Sequence, residues 1–345
     1  MIVKDGVLED VHNSDLLVLR QSSKHFWKGV TKIGQRAFFA VDELFDIDIP
    51  EGVESIDEQA FCYCTSLKKV KLPNSMKTIG QYAFAGSSVE EIVFPEKLKV
   101  VREGAFYNCK NLKSIKFNEN ISTIGPCAFI NCESLDNLVL PENITTISEQ
   151  AFSGCKSLKN LKFSEGLITI GYEAFANCTS LEKVVLPDSV TSIQKNAFLK
   201  CENLKTVIVG KGVTEIKAYT FNSCDNLTKI VLSEGINSIG KAAFLKCQRL
   251  NSIVLPSTLK TIGYSAFHGC EDLEEIDLAN VEKIGSSAFA ESGLKIITIP
   301  NTVKNIRSNT FFGCKNLIKV VVPRSVRVNS NALDQTKEVE IEYAE

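Results

Sequence analysis

Residues 174–196, Ala-Phe-Ala-Asn-Cys-Thr-Ser-Leu-Glu-Lys-Val-Val-Leu-Pro-Asp-Ser-Val-Thr-Ser-Ile-Gln-Lys-Asn, hold the pattern on which the whole 345-residue chain is built. The Ala-Phe pair gives the period. Its phenylalanine recurs at 38, 61, 84, 106, 129, 152, 175, 198, 221, 244, 267, 289 and 311, and of the twelve steps nine are 23 residues and three are 22. Ala precedes eleven of these rings, and Thr220 and Thr310 replace it before the other two. The shorter steps have readable causes: one residue is missing near Ser87, one near Ser292 and one after Leu278, as suits turns. Self-similarity at this period is the signature of a solenoid, in which no unit encloses its own apolar face and stacking buries all of them together.

Within a unit the main strand segment alternates, so Val184 and Leu186 face inward while Lys183 and Val185 face outward. Pro follows it at 50, 73, 95, 141, 187, 256, 300 and 323. Lacking an N–H, proline cannot continue a ladder and ends the strand. A second apolar pair, such as Val190 and Ile193, predicts a shorter strand that leads into a tight or 3₁₀ turn at Ala-Phe. Gly follows the isoleucine in seven units, yet Asp57, Arg102, Gln194 and Lys217 take the same place elsewhere, so no left-handed backbone is required there. Stacking coils at about 4.8 Å predicts a Phe spine, a Cys spine and an aliphatic core. Residues 1–26, with the apolar run Leu16 to Leu19, read as an N-terminal cap, 27–333 as the solenoid, and 334–345 as a C-terminal cap whose charged strand, Lys337 to Tyr343, blunts the open edge.

The unit L-x-x-I-x-L-P-x-x-V-x-x-I-G-x-x-A-F-x-x-C, nearly intact from Leu67 to Phe84 and from Leu250 to Cys270, resembles the BspA-like (Treponema-type) leucine-rich repeat over about residues 28–333. The resemblance implies an α/β-class repeat solenoid that is predominantly β. It would be right-handed, with about 13 coils of 22–23 residues, a parallel sheet on one face and short strands and 3₁₀ turns on the other. It also implies a binding role. Members of the family are mostly surface or secreted proteins of host-associated bacteria and of protists such as trichomonads, and some are adhesins for host matrix proteins or other cells.

Composition narrows the partners. Thirty-nine Lys and Arg against 41 Asp and Glu leave a net charge of −2, so no global field draws the chain to nucleic acid or anionic lipid. The first residues lack the basic start, apolar run and cleavage site of a secretory signal, and no stretch approaches 18 apolar residues, so no transmembrane segment is expected. Ten of the twelve cysteines (64, 109, 132, 155, 178, 201, 224, 247, 270 and 314) stand three after the spine Phe. Parallel stacked side chains direct their Cβ vectors poorly for bridging, so buried free thiols are expected in place of disulfides, with small apolar volume sufficient reason for Cys. Cys62 and Cys127 stand outside the ladder and are expected to be the accessible thiols, and Cys62-Tyr63-Cys64 is not a C-x-x-C pair.

No catalytic constellation, metal set or cofactor motif emerges, and neither an enzyme nor a cofactor is expected. His12 and His25 lie in the cap, and His268 takes a variable turn position. Glu274 and Glu275 are adjacent and so point to opposite faces of a strand. The sequons at Asn120, Asn143, Asn177 and Asn226 are about what an Asn-, Ser- and Thr-rich sequence gives by chance. The free positions carry the information. The outward middle residues of the main strands run Asp48, Lys71, Val93, Lys116, Val139, Lys162, Val185, Ile208, Val231, Val254, Asp277, Thr298 and Val321. Val185, Ile208, Val231 and Val254 form an unbroken apolar stripe, rimmed by Lys183 and Lys229, and these six are the candidate ligand-binding residues. β-Branched residues also suit exposed strands for their own sake. The expectation is a monomeric, non-catalytic module for a protein ligand, either a surface or secreted adhesin of host matrix or cell-surface protein, or an intracellular scaffold.

Overall fold

Residues 2–21 and 23–344 are described by a computed structural model, and they divide between Leu167 and Ile168 into two compact units. Each unit is a stack of parallel β coils, with about 15 turns in all among the described residues. Two turns beyond the thirteen Phe anchors come from the ends. Val7–Glu9 pairs in parallel with Lys32–Ile33, and Glu340–Ala344 pairs in parallel with Lys319–Pro323.

In the first unit the main strands Asp46–Asp48, Lys69–Lys71, Glu91–Val93 and Ser114–Lys116 form one ladder, and Asn137–Val139 pairs with Asn160–Lys162. The second strands are two residues long, for example Ser55–Ile56 beside Thr78–Ile79. The second unit repeats the plan: Lys183–Val185, Thr206–Ile208, Lys229–Val231 and Ser252–Val254 make one ladder, and Ile296–Thr298, Lys319–Pro323 and Glu340–Ala344 another. Its short strands include Glu215–Ile216, Ser238–Ile239, Thr261–Ile262 and Lys283–Ile284. Alternation holds as read: Val184 and Leu186 are buried, and Lys183 and Val185 are exposed.

The Ala-Phe segment takes the tight-turn form. Residues two before and two after the spine Phe have left-handed backbones, as at Asn196 (φ 61°) and Lys200 (φ 56°). That geometry splits the amide hydrogens into two sets. Asn196, Phe198 and Lys200 donate N–H to Ala218, Thr220 and Asn222 of the next coil at 3.2, 3.0 and 2.8 Å, while Ala197, Leu199 and Cys201 donate within their own coil to the carbonyl three residues back. A segment without strand geometry thus satisfies its backbone as fully as a sheet does. Left-handed residues recur at these two places in coil after coil, and Asn and Gly, which tolerate that region best, fill many of them. The Ile-following glycines at 34, 80, 125, 240, 263 and 285, by contrast, lie outside the left-handed region, and the reason for Gly is space: a Cβ on Gly80 would lie 2.4 Å from the Asp57 carbonyl carbon. Thr220 and Thr310 fit where Ala is usual because each hydroxyl donates to a carbonyl three residues back, Lys217 or Arg307, at 2.8 Å.

The spine is continuous within each unit. Phe198 stacks on Phe175 at 5.5 Å and on Phe221 at 5.6 Å between ring centroids, with planes 6° and 8° apart, an offset parallel arrangement. At the N-terminal end the described side chains of residues 1–26 divide between core and solvent. Of the run Leu16 to Leu19 only Leu16 is buried, while Leu17 and Val18 are exposed. The plug is Phe26, which packs 6.2 Å from Phe38 and is itself met edge-on by Trp27 at 5.1 Å.

The cysteine position also has a further cause. Cys201, Cys224, Cys247 and Cys270 each donate Sγ–H to the carbonyl of the spine Phe one coil earlier (Phe175, Phe198, Phe221 and Phe244), at 3.1–3.3 Å. Small volume alone does not account for Cys there; a weak donor is used as well. At two of the shortened steps Ser87 and Ser292 are buried in the same place, and their hydroxyls lie 3.5 and 3.4 Å from Cys109 and Cys314 Sγ of the next coil. All twelve cysteines are unbridged. Cys62, expected to be accessible, is buried, and Cys127 is half-buried.

Candidate protein-interaction surface

The outer face of the four-stranded ladder in the second unit carries the candidate stripe. Register pairs Val185 with Ile208, Ile208 with Val231 and Val231 with Val254, so one side chain per coil enters the same row. Val185 is 45% exposed, Val231 41% and Val254 82%, and Ile208 is half-buried between its neighbours. The row beside it reads Lys183, Thr206, Lys229 and Ser252 in the same register, and both lysines are exposed. All six sequence-derived candidates therefore lie on one face, the four apolar ones contiguous and the two lysines on one margin. Inside the strands Val184, Val207, Ile230 and Ile253 are buried, which holds the face rigid from beneath.

The high exposure of Val254 has a cause the sequence reading missed. The next coil, 274–278, was read as another main strand with Asp277 as its outward residue, but no strand forms there. Glu274 and Glu275 are both exposed on irregular backbone, and Glu274 pairs with Lys295 at 2.6 Å. The one-residue deletion falls just beyond this stretch, after Leu278, and the alternation of buried Ile276 and Leu278 with exposed Glu275 and Asp277 is kept without a strand. Val254, 82% exposed, thus ends the stripe.

Three other features were not anticipated. Lys241 Nζ lies 5.5 Å from the ring centroids of both Tyr219 and Tyr264, a cation held between two aromatic faces. In the first unit Arg36 stacks on Phe39 at 4.0 Å, and Phe39 meets Tyr63 edge-on at 5.8 Å. A polar depression of about 300 Å³ opens beside Gly80, lined by Gln35, Asp57, Glu58, Thr78, Gln81 and Arg102. These turn and short-strand positions vary from coil to coil, so periodicity carries no information about them.

Nucleophilic chemistry is disfavoured at the thiols. Burial pushes the Cys64, Cys109 and Cys155 thiols up to about 12, and raises those of Cys132, Cys201, Cys224, Cys247 and Cys270 in the same direction. The thiolate is the reactive form, and these sites withhold it. His268 Nε2 sits 3.5 Å from Glu291, and His12 Nε2 3.3 Å from Asp10, each as a pair at the surface. Among the described residues no helix is long and apolar enough to cross a membrane.

The repeat geometry agrees with comparison to known proteins. The profile of the BspA type leucine-rich repeat region, which spans six repeat copies, matches at residues 31–159, 122–251 and 237–344, nearly the entire length. The chain belongs to the BspA-type leucine-rich repeat family. The coils described above are its repeats, and the chain is a repeat module of the protein-interaction kind. Among solved structures, a leucine-rich repeat protein from Bacteroides ovatus is 28% identical with a TM-score of 0.72, over 92% of this chain and 82% of that one. A leucine-rich cell surface protein from Faecalibacterium prausnitzii is 26% identical with a TM-score of 0.50, over 92% of this chain and 83% of that one. A Eubacterium ventriosum leucine-rich repeat protein, 23% identical with a TM-score of 0.51 over 85% and 92%, shares the fold. No curated protein matches the sequence.

Proposed function

We propose that this BspA-type repeat protein is a non-catalytic, monomeric binding module, acting at a cell surface or after secretion. It would hold a host matrix or cell-surface protein on the face formed by Val185, Ile208, Val231 and Val254, with Lys183 and Lys229 at its margin. Residues 1–26 and 334–345 serve as caps to the array 27–333. The observation that carries the reading is the stripe itself: four aliphatic side chains exposed in successive coils on a rigid sheet, with a polar margin, match the desolvated centre and wet rim of protein interfaces. The cell-surface part rests on the family and on the similarity to the Faecalibacterium prausnitzii protein.

The test uses collagen, laminin and fibronectin immobilised side by side with a lysate of the producing cell. Capture by a matrix protein that Ile208→Asp with Val231→Asp weakens by more than about 2 kcal/mol, with little change in melting temperature, supports the reading. Folded double mutant that binds undiminished moves the site off this face. A second reading, an intracellular scaffold, is favoured by the twelve unbridged cysteines, because unpaired thiols persist in reducing compartments. Capture from the lysate alone, with all thiols free, would decide for it.

A further inference from the structure

The spacing of the stripe says what shape of partner fits it. This step rests on the reading of that face as the binding face. The four aliphatic side chains advance one coil at a time, about 4.8 Å per step, so the row spans about 14 Å and is one side chain wide. An α-helix laid along the row presents one face every 5.4 Å, which accumulates a mismatch of only about 2 Å over three steps. An extended strand repeats a face every ~6.8 Å and drifts by about 6 Å over the same distance. A polyproline helix repeats a face every ~9.3 Å and would skip alternate coils. The lysine margin has a matching period. Lys183 and Lys229 stand two coils apart, about 9.6 Å, against about 10.5 Å for seven residues of helix. Among the described residues neither lysine has an acidic partner, whereas the neighbouring Lys205 is engaged by Glu182 at 2.9 Å. Beyond Val254 the ladder stops, so the seat is about three helical turns long.

We infer that the occupant of this face is an amphipathic α-helix of the partner, lying along the stack. Its apolar residues at i, i+4, i+7 and i+11 rest on Val185, Ile208, Val231 and Val254, and two carboxylates seven residues apart meet Lys183 and Lys229. The apolar row supplies affinity, and the two unpaired ammonium groups fix which way the helix is rotated about its axis.

Fluorescence anisotropy with three labelled peptides of about 18 residues tests this on the full chain. The first is a lactam-stapled helix with Leu at the four positions and Glu at the heptad pair. The second has the same composition, rearranged so that Leu alternates. The third is the stapled helix with Lys in place of Glu. The helix should bind at least about tenfold (about 1.4 kcal/mol) tighter than the alternating peptide. Ile208→Asp with Val231→Asp should remove that binding, and Lys183→Glu with Lys229→Glu should weaken the Glu helix and favour the Lys helix. Equal or better binding by the alternating peptide, no binding by the helix, or helix binding indifferent to Ile208 and Val231 overturns the inference. The two readings fail separately. Matrix capture that needs Ile208 and Val231, but is not competed by the helical peptide, leaves the face standing without the helix. Capture indifferent to those residues removes the face itself.

Discussion

Raising the pH should unfold this protein through its buried thiols. Seven of them, Cys109, Cys132, Cys155, Cys201, Cys224, Cys247 and Cys270, have no solvent exposure, and burial raises each pKa, to about 12 for Cys109 and Cys155. In the unfolded chain a thiol titrates near its ordinary value of about 8.5. Between those limits the unfolded state has released protons that the folded state still holds, so stability is complete below about pH 8.5 and falls as pH rises. At about 1.4 kcal/mol per pH unit, each thiol costs roughly 2 kcal/mol by pH 10. Three lie in the first unit and four in the second. The losses are then about 6 and 8 kcal/mol, against about 5–15 kcal/mol for a typical domain. Exposed ion pairs such as Lys205 with Glu182 contribute at most about 1 kcal/mol each. Urea denaturation under reductant from pH 7 to 10.5 measures the effect, with circular dichroism for both units and the fluorescence of the sole tryptophan, Trp27, for the first. The control is Cys224→Ser with Cys247→Ser. Serine takes the same buried place naturally at Ser87 and Ser292 and does not titrate, so about 4 kcal/mol of the loss at pH 10 should be recovered. A midpoint that stays flat from pH 8 to 10, or an alkaline loss the serines do not reduce, would refute the argument.

Phe198→Ala should cost about 3–5 kcal/mol, and Phe38→Ala a similar amount, because Phe26 covers Phe38 as another coil would; a much smaller shift in the urea midpoint for Phe38→Ala would show that the N-terminal plug is loose. Gly80→Ala should destabilise by about 1–3 kcal/mol through overpacking against backbone, and an unchanged thermal melt would contradict the close-approach account of the Ile-following glycines. Under native conditions a thiol-reactive dye should label Cys127 first and leave Cys62 with the slow, buried set, and rapid labelling of Cys62 by mass spectrometry would contradict its burial.

What the sequence determined by itself is whatever repeats. A period of 22–23 residues, with alternation in each unit, specifies parallel coils, the Phe and Cys spines, and which residue of each main strand faces out, because every coil meets the same environment above and below. The stripe from Val185 to Val254 was legible for that reason: it is read by comparing one position down the column. What only the tertiary structure decided lies where that symmetry breaks. Phe26 covers the end of the spine while Leu17 and Val18 stay exposed, because the end of the core takes whichever apolar side chain the irregular chain delivers to it. Coil 274–278 forms no strand, and Val254 stands bare, although its buried and exposed positions alternate as in the other coils, so alternation alone does not report whether the ladder continues. The thiol-to-carbonyl bonds and the alternating left-handed turn residues were likewise hidden. Both join residues about one repeat apart through the backbone, and backbone groups are the same at every position of a sequence.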